Sequence, residues 1–408
     1  MNKKRIKNYQ EVAIKLLKPT KKQLAHGLEL HQNSVVFDAY GFAPTAALDG
    51  NAMRKAIEQG ASSSEIKDLS EDMLMTRYVE NPAQNKEFRE YFDASGVTCI
   101  FQNAGEEEES VRKIEKRMAH YTYVCDMMKD FVQKAVTPDD VINAKRQNKH
   151  CLYFSSNGVP LTQQWVSVEE ELQFIKIFFQ FGCRMMHLTY NRRNMIGDGC
   201  GETTNAGLSD FGKAVVREMN RVGVIVDVAH SGWQTSIDAA KMSTKPIVAS
   251  HTASFALNGH YRNKPDDVIK EIAKTDGYVG ICCFPDFLGR GGDIISLLDH
   301  IDYVAKKFGV EHVAIGTDSG IQSQYAKREW KKIPGISSQR KPWRSLWPKN
   351  PYSKPLDDAT RIKGKESLTW TNWPLFTVGL VQRGYSDEDI RKIIGGNVIR
   401  VAREVLRV

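Results

Sequence analysis

The sequence predicts an α/β protein, a (β/α)8 TIM barrel with helical insertions and C-terminal helices. Eight short apolar segments divide the chain, and a helical stretch follows each of them. Two segments are followed directly by a histidine and a third by an aspartate, and side chains at the C-terminal strand ends line the active site of such a barrel. The segments cover residues 34–38, 97–102, 150–155, 184–190, 223–229, 246–250, 277–284 and 312–317.

The length of the chain leaves room for more than a bare barrel. It has 408 residues, of which 41% are hydrophobic and 26% charged, so one large core can form. A barrel alone takes about 250 residues. We therefore expect a single domain over residues 1–408, with an N-terminal helical cap at about 1–33 beneath the barrel. A polar segment at about 44–94 is too long for a simple connection, and we expect inserted helices over or beside the mouth.

In the first half of the chain, the spacing of apolar and polar residues predicts two helices and a polar loop. Residues 106–135 and 168–181 read as helices, the second with an aromatic stripe that suits a core. The segment 184–190 leads into a polar loop at 191–200. Ser209 is a plausible N-cap for the helix that runs to Arg221.

The second half of the chain carries the strand ends of interest. Val226, Val228 and His230 alternate along the fifth segment, so we expect them to share one face, with His230 pointing inward. The sixth segment repeats this arrangement and is followed by His251, and Asp318 follows the eighth. The basic, Trp- and Pro-rich residues 327–355 should form a mouth loop, and a C-terminal helix should follow Ser386.

Charge and composition narrow the function classes. The formal charge of +8 is scattered, which disfavours nucleic-acid binding and leaves an anionic substrate or no electrostatic role. No window is long enough to span a membrane. Seven cysteines without a CxxC pair favour reduced, buried thiols and therefore the cytoplasm. The alternative is an exported protein that lacks its signal peptide here.

His230, His251 and Asp318 come from three different strand ends and form the candidate site. A lone buried histidine is usually a core residue, but two at equivalent ends with an aspartate favour a functional cluster. Two imidazoles and a carboxylate can bind Zn²⁺ and leave a position for water. Fe²⁺ suits the same ligands. Asp318 can instead act as a general base beside the metal.

Three further residues are candidates for substrate contact. The guanidinium of Arg262, after the sixth segment, can hold a carboxylate with two parallel hydrogen bonds, although a surface arginine fits the spacing equally well. Tyr190 and Asn191 follow the fourth segment and can line the same mouth. His187 lies inside the expected strand, and we read it as structural.

Several motifs together resemble the membrane (renal) dipeptidase family, peptidase family M19. The first motif runs from residue 207 to His230 and ends in Val226-Asp-Val-Ala-His230. The others are the segments 245–251, 261–263 and 315–318 and the tail at 384–401. The resemblance is colinear from about 34 to 408. It implies a barrel of the amidohydrolase superfamily in which two zinc ions cleave dipeptides, including those that end in a D-residue. It also implies a homodimer.

Carried over residue by residue, the resemblance leaves four positions intact. His230 and His251 match the histidines that bind the second zinc. Arg262 matches the arginine that holds the terminal carboxylate of the substrate, and Asp318 matches the aspartate that serves in proton transfer.

Other family positions are replaced. Tyr40 and Phe42 stand where the family has the His-x-Asp pair of the first zinc. Ser155 aligns with the glutamate that bridges both zincs, and Tyr190 aligns with a histidine that stabilises the transition state. A two-zinc centre therefore looks lost, at most one metal remains, and the Tyr190 hydroxyl can still donate to an oxyanion.

These observations support three hypotheses. The first is a metal-dependent hydrolase that acts on an amide or peptide-like bond of a small carboxylate-bearing substrate, with a single zinc. The second is a diverged barrel enzyme of small-molecule biosynthesis with little or no metal dependence. The third is a non-catalytic binding homologue, because a fold alone does not fix a function.

Overall fold

Parallel strands form one curved sheet in the computed structural model, which describes residues 2–105, 111–164, 166–335 and 347–406. Within these residues the strands are β1 (Phe37–Gly41), β2 (Cys99–Asn103), β3 (Val132–Lys134), β4 (His150–Ser156), β5 (Cys183–His187), β6 (Ile225–Asp227), β7 (Ile247–Thr252), β8 (Tyr278–Ile281) and β9 (Val313–Ile315). Their order in the sheet is β1-β2-β4-β5-β6-β7-β8-β9, and β3 pairs with β4 outside this path.

Helices surround the sheet and connect its strands. They are α1 (Asn2–Leu17), α2 (Lys21–Asn33), α3 (Gly50–Glu58), α4 (Ser63–Glu80), α5 (Pro82–Ser95), α6 (Val111–Met127), α7 (Pro138–Arg146), α8 (Val168–Phe181), α9 (Asp210–Val222), α10 (Trp233–Met242), α11 (Asp266–Lys274), α12 (Pro285–Leu288), α13 (Ile294–Phe308), α14 (Ala326–Trp330), α15 (Asp358–Ser367), α16 (Trp373–Gln382), α17 (Asp387–Arg391) and α18 (Asn397–Val405). Short 3₁₀ turns cover Val310–His312 and Trp370–Asn372, and a π-helical turn covers Lys392–Gly396.

The two edges of the sheet meet beside β1. The backbone N–H of Asp318 donates to the carbonyl of Tyr40 at 2.9 Å, and that of Phe42 donates to the carbonyl of Ser319 at 3.2 Å. The sheet is therefore a nearly closed barrel, and the predicted (β/α)8 fold is confirmed. Each predicted apolar segment overlaps with a strand. β3 was not predicted, since it lies inside the expected helix at 106–135.

The strands separate two layers of core. Phe37, Tyr153 and Ile225 face the barrel interior, where residues of α18 such as Val401 pack against the same cluster. Val226 belongs to the outer cluster between strands and helices. α18 thus covers the end of the barrel opposite the mouth, in agreement with the predicted C-terminal helices.

The N-terminal helices form as expected, but not beneath the barrel. In α2, Gly27 lies so close to α16 that a Cβ there would stand 2.7 Å from Val378. Arg5 of α1 donates to the carbonyl of Gln322 at 2.8 Å, in the loop after β9. These contacts place the helices beside the barrel, next to α16 and the loop after β9.

The segment at 44–94 holds the three inserted helices α3, α4 and α5. Each begins at a side-chain cap, provided by Asp49, Ser62 and Asn81. Lys67 of α4 reaches the cavity at the mouth of the barrel. The insertion therefore contributes to the wall of that cavity.

Local sequence features explain where α9 begins and ends. The Ser209 side chain accepts from the N–H of Gly212, which confirms the predicted N-cap. Gly223 ends the helix with φ at 95°, a conformation that glycine adopts without steric cost, and the chain then enters β6.

Two predictions from composition can be compared with the structure. Among the described residues, no helix combines the length and apolar character needed to cross a membrane. All seven cysteines are free and buried.

Candidate active site

A cavity of about 590 Å³ opens at the C-terminal ends of the strands. His230, Tyr190 and Asp318 line it together with Tyr40 and Trp347. A larger cavity of about 1160 Å³ lies at the opposite end, around α18, and contains none of the candidate residues. The chemistry expected from the sequence therefore belongs to the smaller cavity.

His230 and His251 converge beneath this cavity. Their Nε2 atoms lie 2.9 Å apart, and both side chains are buried. The Nδ1 atom of His230 lies 2.7 Å from Oδ1 of Asn191, and that of His251 lies 2.8 Å from Oγ of Ser250. These contacts fix both rings and leave the Nε2 atoms facing one another.

His230 reaches the interior by a different route from the one predicted. Val226 and Val228 face the outer core, whereas Ile225 faces inward. β6 ends at Asp227, and a turn follows in which the N–H of Ser231 donates to the carbonyl of Val228. The period-two argument was therefore wrong about the shared face, because the alternation stops before His230.

His251 points inward because β7 is irregular. Its pairing with β8 shifts register between Ala249 and Thr252. Such an irregularity re-aims the side chains that follow it. The ring of His251 consequently stacks on Tyr40, with centroids 4.0 Å apart.

Asp227 and His187 complete a cluster that the sequence reasoning missed. β5 ends at His187 rather than at Tyr190, so His187 lies at a strand end after all. Its Nε2 atom is 2.6 Å from Oδ2 of Asp227. One donor atom each from His187, Asp227 and His251 lies within 4.8 Å of the others. Met185 and Ile225 face the barrel interior, and every second residue of a strand shares a face. Counting two residues onward from each would have identified His187 and Asp227 as inward-facing.

Arg262 is fully buried beside the two histidines. Its Nη1 donates to the carbonyl of Ala229, and its Nη2 lies 3.3 Å from the carbonyl oxygen of His251 and 3.2 Å from Nε2 of His230. The alternative of a surface arginine is therefore wrong. The positive charge of Arg262 at this position favours the neutral form of His230 and His251 over the protonated form.

The electrostatics of the pair follow from burial. Burial and the charge of Arg262 together hold the pKa of His230 and of His251 well below the usual value. Both imidazoles are therefore neutral near pH 7, which is the form that binds metal ions.

Tyr190 and Asn191 both contact His230, in different ways. The ring of Tyr190 stacks on that of His230 with centroids 4.2 Å apart and lines the cavity. Asn191 is fully buried and holds Nδ1 of His230. The sulfur of Cys200 lies 3.1 Å from the same amide oxygen.

Asp318 occupies a special backbone position at the cavity wall. Its φ is 49°, in the left-handed region. Burial raises the pKa of its carboxyl to about 6, and the charge of Arg262 limits the rise. A carboxyl with this pKa can exchange protons near neutral pH.

The residues that the resemblance aligns with the ligands of the first zinc offer a metal few donor atoms. The Tyr40 ring covers His251, and its hydroxyl donates to Oδ1 of Asn157. Phe42 offers no donor atom, and Ser155 offers only a neutral hydroxyl in place of a bridging carboxylate. The imidazoles of His187, His230 and His251 and the carboxylates of Asp227 and Asp318 remain as possible metal ligands.

Trp347 belongs to the same site. Its ring meets that of Tyr190 edge-on, with centroids 5.9 Å apart. The expected substrate-shaping role of the loop around it stays a prediction, and Trp343 and Arg344 lie outside the described residues.

Comparison with known sequences relates this chain to one family of peptidases. The profile of the family described as Membrane dipeptidase (Peptidase family M19) matches residues 25–333. Dipeptidase tcpJ from Claviceps purpurea (strain 20.1) is 26% identical over 396 residues, which is 95% of this chain and 77% of tcpJ.

Solved structures show the same fold. An amidohydrolase from Pseudomonas aeruginosa matches with a TM-score of 0.68 and 26% identity, over 93% of this chain and 98% of that one. A metallo peptidase from Rhodobacter sphaeroides, liganded with a phosphinate mimic of the dipeptide L-Ala-D-Ala, matches with a TM-score of 0.63. It is 15% identical over 91% of this chain and 100% of its own, so this likeness concerns the fold alone.

Proposed function

Because this chain belongs to the membrane dipeptidase family, peptidase family M19, we propose that it hydrolyses an amide or peptide-like bond of a small carboxylate-bearing substrate. One observation carries the proposal. The Nε2 atoms of His230 and His251 converge to 2.9 Å beneath a cavity that Asp318 and Tyr190 also line. Two imidazoles that suit a metal ion and a carboxyl group that suits proton transfer thus lie together at the mouth of the barrel.

A single metal ion is part of this proposal. In the pattern that the resemblance implies, His230 and His251 would hold it, and zinc is the first choice, with iron as the alternative. When bound, Zn²⁺ lowers the pKa of a water ligand to about 7 and polarises a carbonyl oxygen.

The residues of the chain supply the remaining chemistry. Asp318 accepts a proton from the attacking water and returns it to the leaving amine. The Tyr190 hydroxyl donates to the oxygen on which negative charge develops. The resemblance assigns the substrate carboxylate to the guanidinium of Arg262, which would have to open its contacts with the carbonyls of Ala229 and His251. Asn191 keeps His230 in place in addition to any substrate contact.

The proposed substrate is a dipeptide or a compound of similar size. A cavity of about 590 Å³ suits such a molecule. The relative tcpJ carries the name dipeptidase. The homodimer and the cytoplasmic location stay predictions.

A barrel enzyme with little or no metal dependence is the second candidate. Arg262 favours it, because its Nη2 lies 3.2 Å from the Nε2 atom of His230, where a cation opposes metal binding. Tyr40 favours it as well, since its ring covers His251.

The metal content of the purified protein tests the proposal. Elemental mass spectrometry of wild-type protein, purified without chelator or added metal, should give about one zinc or iron per chain. The His230→Ala/His251→Ala variant should lose it, and hydrolysis of a panel of dipeptides and N-acyl amino acids should be chelator-sensitive. A folded wild type without metal and without activity on the panel would contradict the proposal in favour of the second candidate or a binding protein.

A further inference from the structure

We propose that the metal ion lies deeper in the barrel than the family pattern implies, held by His187, Asp227 and His251. The inference rests on the proposed function in one respect, namely that the barrel holds a metal. It assigns ligands to β5, β6 and β7, three neighbouring strands of the sheet. In this arrangement His230 is an auxiliary residue at the open side.

The strands themselves bring the three donors together. His187 is the pairing partner of Asp227 in the register of β5 and β6, so the two side chains project side by side into the barrel. The irregularity in β7 turns His251 toward them. One donor atom of each residue lies within 4.8 Å of the others, and at most 1% of any of the three residues is exposed.

Among the atoms of the three proposed ligands, Oδ2 of Asp227 and both ring nitrogens of His187 lack a hydrogen-bond partner among the described residues. Oδ1 of Asp227 accepts from the N–H groups of Ala229 and Ser250 at 2.9 and 3.0 Å, which fixes the carboxylate. Oδ2 lies 2.6 Å from Nε2 of His187, but the contact lacks the angles of a hydrogen bond. Neither ring nitrogen of His187 has a hydrogen-bond partner among the described residues.

Unsatisfied polar atoms are costly in a buried site. A buried donor or acceptor without a partner costs about 1–3 kcal/mol, and more when it is charged. A cation between His187, Asp227 and His251 gives each of them a ligand bond. Two imidazoles and one carboxylate form a known set for zinc and for iron, and they leave a position open.

The surroundings favour this site over the pair His230 and His251. Oγ of Ser250 lies 2.8 Å from Nδ1 of His251 and holds its ring in place, as supporting contacts around a metal ligand do. The guanidinium of Arg262 lies beside His230 rather than beside His187. Repulsion between two cations therefore weakens binding at His230 first.

The competing explanation is a buried ion pair between His187 and Asp227 that needs no metal. The two explanations differ in what Zn²⁺ does. An ion pair binds none, whereas the proposed site binds one ion whose affinity depends on both residues.

Zinc titration of the full-length protein tests the inference. Protein freed of metal by dialysis against chelator would be titrated with Zn²⁺ in competition with a chromophoric chelator, using His187→Gln, Asp227→Asn and His230→Gln. We expect one ion per chain, a loss of affinity of at least about 100-fold in the first two variants, and less than about 10-fold in the third. His300→Gln, which changes a buried histidine away from the site, should bind like the wild type.

Two results would overturn the inference. In the first, His187→Gln and Asp227→Asn bind Zn²⁺ with the affinity of the wild type, whereas His230→Gln loses binding. This result would assign the ion to the pair His230 and His251. The other is a folded wild type that binds no Zn²⁺, which would leave the ion pair. Circular dichroism would confirm folding of each variant. If Asp227→Asn does not fold, X-ray absorption of the zinc-loaded wild type and His230→Gln should give the same number of imidazole ligands.

Failure of this inference can be told apart from failure of the proposed function. Zinc-dependent dipeptide hydrolysis with unchanged zinc affinity in His187→Gln would refute the deeper site alone. Zinc binding as stated here, without hydrolysis of any compound in the panel, would refute the proposed function alone.

Discussion

The Nε2 atom of His187 lies 2.6 Å from Oδ2 of Asp227 inside the barrel, on two strands that pair at these residues. The other carboxylate oxygen of Asp227 accepts two backbone N–H groups, one of which belongs to the neighbouring strand β7. This carboxylate therefore connects three strands at the level of the site, and its removal should affect the fold as well as the proposed metal binding.

Truncation of Asp227 should destabilise the metal-free protein. Asp227→Ala leaves the N–H groups of Ala229 and Ser250 buried without an acceptor, so we expect a loss of about 3 kcal/mol in the free energy of unfolding. Asp227→Asn keeps an amide oxygen for these bonds and should lose less. Urea unfolding at pH 7 in the presence of chelator measures both. Equal losses in the two variants would contradict this explanation.

The activity should depend on the protonation of Asp318. Its pKa is raised to about 6, and the carboxylate must be charged to accept a proton. We therefore expect kcat/KM to rise with pH through about 6 and then to level off. Asp318→Asn keeps the shape of the side chain and should lose the activity at every pH. A flat profile between pH 5 and 8 in the wild type would exclude this role.

The stability of the fold should decrease in mild acid because of His31. Burial lowers its pKa to about 4, and its ring nitrogens contact Thr377 and the carbonyl of Ser95. The unfolded chain binds the proton at about 6.5, so the stabilisation is complete above that pH and is lost as pH falls toward 4.

A variant isolates the contribution of His31. The difference in unfolding free energy between wild type and His31→Gln should shrink by about 3 kcal/mol from pH 7 to pH 4. Thr377→Val removes a hydrogen bond but leaves the imidazole, so it should keep the pH slope of the wild type. The measurement is urea unfolding at several pH values, and a constant difference would disprove the assignment.

Gly316 allows the strands to close beneath the site. A Cβ at this position would stand 1.9 Å from the carbonyl oxygen of Ser250, so backbone would have to move. We expect Gly316→Ala to lose more than about 3 kcal/mol or to be insoluble. Gly335 has open space around its Cβ position, and Gly335→Ala should fold normally. Thermal unfolding compares the two, and similar melting temperatures would show that the barrel adapts.

The sequence predicted the strands better than the directions of their side chains. Apolar runs bounded by helices located eight strands, because burial demands such runs. β3 escaped notice because only three residues pair there, next to a helical stretch. The N-terminal helices were predicted by their composition, but their position beside the barrel depends on their contacts with α16 and the loop after β9.

The candidate site shows the same limit. His230 and His251 were predicted from their places after strands, yet a turn and a register shift bring them inward. Neither irregularity has a plain mark in the sequence. Asp227 was overlooked because the alternation was counted from Val226, on the opposite face. His187 was overlooked because the end of its strand was placed three residues too late.

The left-handed backbone at Asp318 sets the proposed function of this residue against the stability of the fold. Glycine adopts a φ of 49° freely, whereas a residue with a Cβ is destabilised by about 1 kcal/mol. Asp318→Gly should therefore raise the melting temperature while it abolishes proton transfer. Selection for stability alone would place glycine here. If the proposed proton transfer holds, the aspartate at this position is a compromise between stability and chemistry.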